Sequence, residues 1–77
     1  LSNDVELVFH VPQGMTVATI KTQDGAFVRR TEFDGPQTKM LLKLPSGRYT
    51  AFIKVGQNKV VDRTFMVEGD GRITVNY

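Results

Sequence analysis

The chain of 77 residues contains no cysteine. Disulfides, thiolate catalysis and cysteine-ligated metals are excluded together. The redox compartment stays open, because a chain without cysteine is compatible with an oxidising envelope as well as with a reducing interior. There is one histidine, His10, which excludes a histidine-rich metal centre. Only two serines occur, Ser2 and Ser46, and Ser46 falls in a turn. A Ser-His-Asp arrangement would have to bring that turn to His10 on the polar side of a distant strand. No apolar run approaches the roughly 18 residues that cross a bilayer, so membrane insertion is not expected. No N-terminal stretch joins a basic start to an apolar core and a small-residue cleavage site. The chain opens at Leu1 rather than Met, which points to a processed form or an excised module of a larger protein.

Tryptophan is also missing, and the two tyrosines, Tyr49 and Tyr77, fall at inward positions of their strands. Flat aromatic side chains are what stack on sugar faces, so carbohydrate is an alternative ligand rather than the leading one. The basic residues do not cluster. Ten Lys and Arg against eight Asp and Glu give a net charge of +2, and the only adjacent basic pair, Arg29-Arg30, is followed by Glu32 and Asp34. Nucleic-acid binders carry a basic stripe or run. A solvated surface of mixed sign is the expectation here, with no nucleic-acid partner.

What the chain does have is a two-residue rhythm. Alternating apolar and polar side chains point to opposite faces of a sheet. Val5, Leu7, Phe9 and Val11 alternate with Asp4, Glu6, Val8 and His10, which predicts a first strand over 4–11. A second follows over 15–22. Asp24-Gly25 has the chemistry of a tight hairpin turn, so the third strand, 26–33, is expected antiparallel to the second. Met40, Leu42 and Leu44 share one face of a fourth strand at 38–44. Pro45-Ser46-Gly47 turns the chain into a fifth at 48–55, with Tyr49, Ala51, Ile53 and Val55 inward. A sixth strand at 59–67 and a seventh at 72–77 complete the set. In the sixth, Arg63 shares a side with Val61, Phe65 and Val67. Either a β-bulge near Asp62 or an edge arginine with a buried stem and a solvated head reconciles that pattern. Seven short strands joined by Gly, Pro and Asp turns predict one all-β domain over 1–77, a seven-stranded antiparallel β-sandwich of immunoglobulin-like or transthyretin-like type. The first and last strands are expected at sheet edges. A domain this small is marginally stable alone, which favours a neighbouring domain or partner.

Reactive groups do not converge. The eight carboxylates are scattered over separate turns, without the deep cleft that would raise a pKa for glycoside hydrolysis. Glu68 and Asp70 offer oxygen atoms in one loop, but the EF-hand pattern is missing. No enzymatic activity, catalytic residue, metal or cofactor is expected. The most suggestive residues are apolar ones out of phase with the core: Val8, Leu41 and Phe52. If they adjoin, they form a candidate interaction patch for a protein partner or an adjoining domain.

The segment Leu44-Pro45-Ser46-Gly47-Arg48-Tyr49-Thr50, preceded by alternating Met40 and Leu42, resembles the Leu-Pro-x-Gly-x-Tyr element of several β-sandwich families. These are the carboxypeptidase-regulatory-like (transthyretin-like) domains, the related PEGA domains and the C-terminal sorting domains of Bacteroidetes type IX secretion. The stretch Val17-x-x-Ile20-x-x-x-Asp24-Gly25-x-x-Val28 is similar to the hairpin that precedes this element, and the likeness spans residues 15–67. In these families the turn delivers a tyrosine into the core at the start of a central strand. The resemblance implies a non-catalytic accessory module of a bacterial envelope or secreted protein, located in the periplasm, cell envelope or outside the cell. Such a module makes protein–protein contacts, acts as a structural spacer or directs sorting.

Overall fold

The computed structural model describes residues 1–77. It contains seven strands and no helix: β1 (Ser2–His10), β2 (Met15–Thr22), β3 (Phe27–Asp34), β4 (Gln37–Pro45), β5 (Gly47–Val55), β6 (Val61–Val67) and β7 (Gly71–Asn76). They form a sandwich-like pair of sheets, one of three strands in the order β4-β1-β7 and one of four in the order β3-β2-β5-β6.

Two expectations about pairing need correction. Four of the five strand pairs are antiparallel, but β1 and β7 run parallel, with Val5 opposite Gly71 and His10 opposite Asn76. A hairpin forces its strands antiparallel, whereas β7 enters from β6 in the other sheet, so its direction is set by that crossing. β1 is also not an edge. It is the centre of its sheet, between β4 and β7, while β7 does lie at an edge.

The alternation puts one apolar face of each sheet inward. Val5, Leu7 and Phe9 of β1, Leu42 and Leu44 of β4 and Val75 of β7 meet Ala18 and Ile20 of β2, Tyr49, Ala51, Ile53 and Val55 of β5, and Phe65 and Val67 of β6. Full burial of each large apolar side chain stabilises by about 1.5–3 kcal/mol. Thr16 is the one buried polar side chain, and its hydroxyl donates to the carbonyl of Gly14 at 3.0 Å. Tyr49 enters the core beside the Pro45-Ser46-Gly47 turn. Its ring stacks on Phe65 with centroids 5.7 Å apart, and its hydroxyl donates to the Pro45 carbonyl at 2.6 Å.

The register of β5 against β6 is unbroken from Gly47↔Val67 to Ile53↔Val61, so no bulge occurs at Asp62. Arg63 does lie on the inward side, at the sheet edge, and its head reaches the rim, where Nε donates to the carbonyl of Asn76 at 3.0 Å. The bulge is elsewhere. Ile20 faces Arg29 and Lys21 faces Phe27, leaving Val28 as the extra residue of β3.

Candidate functional site

The outer face of the three-stranded sheet is built from alternate residues of its strands. β1 contributes Asp4, Glu6 and Val8, β4 contributes Lys39, Leu41 and Lys43, and β7 contributes Arg72 and Thr74. The register sets Lys43 beside Asp4, Leu41 beside Glu6, and Lys39 beside Val8. Lys43 Nζ donates to Asp4 Oδ1 at 2.6 Å. The Glu6 carboxylate sits between Lys39 Nζ at 3.7 Å and Arg72 Nη2 at 3.5 Å. Ion pairs this open to solvent contribute little to stability, so they fix charge positions more than they hold the fold. The hydrogen bond to Asp4, followed by the charges of Asp4 and Asp70, holds the Lys43 ammonium above its ordinary value of 10.5. Asp70 has a structural task as well: its Oδ1 accepts the backbone N–H of Asp4 at 2.8 Å, extending the parallel β1–β7 pairing by one bond beyond Gly71.

Between these charges lies a depression of about 640 Å³, lined by Asp4, Val5, Glu6, Leu41, Leu42, Lys43, Gly71 and Arg72. Gly71 is needed there. Its φ of +145° disfavours a side chain, and nothing lies within 4 Å of where a Cβ would stand, so that side of the hollow stays open. Leu41 rises beside it at 80% exposure, an isobutyl group ringed by charges of both signs. Across the molecule, Thr22, Gln23, Asp24, Pro45, Ser46, Gly47, Arg48 and Tyr49 line a second hollow of about 540 Å³, and the Thr22 hydroxyl bonds Asp24.

The candidate patch of Val8, Leu41 and Phe52 does not form as one surface. Val8 and Leu41 share the outer face of the three-stranded sheet, one diagonal step apart in register. Val8 is nevertheless only 5% exposed, because β1 is central and Lys39 and Thr74 flank it on both sides. Phe52 belongs to β5 and faces outward from the other sheet, between Thr19 and Asp62. Lys21 Nζ stands 5.5 Å from its ring centroid, a cation–π contact, and the exposed Phe27 neighbours Lys21 on β3. Residue spacing carries no hint of Gly71 and Arg72 as companions of Leu41, because they reach its face only through the parallel pairing of β7 with β1, whereas Glu6 lies directly opposite Leu41 in the β1–β4 register.

The other candidates are dispersed. His10 is exposed at the end of β1 opposite Gln37, whereas Ser46 follows Pro45, which pairs with Ser2 at the other end of that strand. No three His, Asp or Glu side chains gather in a way that could hold a metal ion, Glu68 and Asp70 included. Compared with known proteins, the chain matches no family model, no curated protein and no solved structure.

Proposed function

We propose that this chain is a non-catalytic accessory module of immunoglobulin-like or transthyretin-like type, set in a bacterial envelope or secreted protein, and that it acts by protein–protein contact. The observation that carries the reading is Leu41. A leucine left 80% exposed beside an open hollow, with Glu6, Lys39, Lys43 and Arg72 around it, has the layout of an apolar anchor inside a polar rim. The Tyr49 hydroxyl bonded to a carbonyl four residues upstream supports the sandwich type, since immunoglobulin-like sandwiches use the same device at a corner between sheets. The partner surface fitted to this face offers a hollow for one aliphatic side chain and charges of both signs at its margin.

The test is a photo-crosslinking residue at position 41 of the full-length protein in its own cell, with position 54 on the opposite outer face as control. One defined adduct, to a partner protein or an adjoining domain, is expected from position 41 alone. No adduct from position 41, or the same adducts from both positions, overturns the reading.

A further inference from the structure

Arg63 spans the flank where β6 and β7 lie, whereas no backbone hydrogen bond joins β3 to β4 on the opposite flank. Unpaired strand edges present N–H and C=O groups to any chain that can supply a complementary strand. Which groups β3 presents follows from its ladder. The Gly35 N–H donates to the Gly14 carbonyl, and the register from Met15↔Asp34 to Ile20↔Arg29 keeps the same phase. Bonded and non-bonded pairs alternate in an antiparallel ladder, so Phe33, Thr31 and Arg29 bond toward β2. The Gly56 N–H donates to Met15 on the other side of β2, which agrees with that phase. The N–H and C=O of Arg30 and Glu32 therefore point away from the sheet.

The side chains of these two residues also face one way, outward from the sheet, and are about half exposed, with Arg30 Nη1 2.7 Å from Glu32 Oε2. A second β3 laid antiparallel about a two-fold axis at Thr31 sets Arg30 opposite the partner's Glu32, and Glu32 opposite the partner's Arg30. Both members of each such pair direct their free backbone groups at the other, which gives four N–H···O bonds. Arg29 then faces the partner's Phe33 on the inner side. Moving the axis to Arg30 opposes two arginines, which is destabilising. Moving it to Glu32 opposes two glutamates but sets Arg30 opposite the partner's Asp34, a register that reversing both charges in one chain would not restore. β4 offers no equivalent, because its charges are Lys39 and Lys43 with no acid between them.

We propose that two copies of this chain pair through β3 about Thr31, joining their four-stranded sheets into one continuous eight-stranded sheet. The contact lies at the small end of interfaces, below about 1,200 Å², so the dimer is concentration-dependent. It uses a different surface from Leu41, and either can fail without the other.

Sedimentation equilibrium of the full chain tests it. The weight-average mass should rise from monomer toward dimer with concentration, and less so at high salt. Arg30→Glu and Glu32→Arg should each weaken association about tenfold or more, because like charges then oppose across the axis. Mixing the two single variants, or combining both changes in one chain, should restore it. As a check independent of charge, Thr31→Cys in this cysteine-free chain should oxidise to a covalent dimer faster than Thr64→Cys on β6. A wild-type chain that stays monomeric throughout, single reversals that associate as well as wild type, or equal oxidation rates at 31 and 64 would overturn the proposal.

Discussion

On one flank of this molecule Arg63 reaches from the inner side of β6 to the carbonyl of Asn76 in the other sheet. On the opposite flank β3 and β4 part from a two-residue connection, Gly35-Pro36, and no hydrogen bond crosses between them. The bridged flank uses a charged donor to occupy a carbonyl that would otherwise face solvent at an edge. The open flank leaves its backbone groups free and arranges side chains of opposite sign over them. Edge strands can thus be closed within the chain or kept available, and the choice rests on one or two side chains rather than on the strands themselves.

The largest effect on this contrast should come from the hinge of the open flank. A Cβ at Gly35 would stand 2.2 Å from the carbonyl oxygen of Pro12 and 3.2 Å from its carbon, which the backbone must move to relieve. Gly35→Ala should therefore cost about 3 kcal/mol, read from the denaturant midpoint. On the bridged side, Tyr49→Phe keeps the stack on Phe65 but leaves the Pro45 carbonyl without its donor, a loss of about 1 kcal/mol by thermal unfolding. Arg63→Ala should cost about 0.5–1 kcal/mol, with faster amide exchange confined to β6 and β7. Leu41→Asp should change stability by no more than about 0.5 kcal/mol while abolishing co-purification of the partner identified by the position-41 crosslink, separating contact from fold.

The smallest effect is electrostatic. Lys43 is held above 10.5, so its pairing with Asp4 stabilises the folded chain fully below that pH and is lost as pH rises through the folded value. A comparison of wild type with Lys43→Met should show a difference that stays level on the alkaline side of neutrality and closes only in strongly basic solution. A gap that closes near neutral pH would contradict the assignment to Lys43.

Most strand positions and inward faces can be read from the alternation alone, because burying one face of a sheet fixes which side each residue takes. The Tyr49 corner is legible too, from Pro45 and Gly47 before an alternating run. Relations between distant strands are not. Nothing local tells β7 to lie parallel to β1, and with that pairing unknown, β1 reads as an edge and Val8 as exposed. Phe52 and Leu41 share an out-of-phase position in their own strands, but their separation onto opposite outer faces depends on the order of strands in two sheets. An edge Arg63 is one of two ways to reconcile a single pattern, and the unbroken register of β6 against β5 selects it over a bulge. The bulge at Val28 has no comparable signal, since Phe27 and Val28 are both apolar and either could face inward.

The parallel union of β1 with β7 also has a mechanical meaning. Tension applied between Ser2 and Asn76 pulls these neighbours lengthwise past each other, so their hydrogen bonds share the load and must break together. A hairpin drawn from its open end would surrender its bonds singly. A unit joined in this way resists stretching along its axis despite modest thermodynamic stability. Single-molecule pulling should record a higher rupture force through residues 2 and 76 than through the ends of the β5–β6 hairpin.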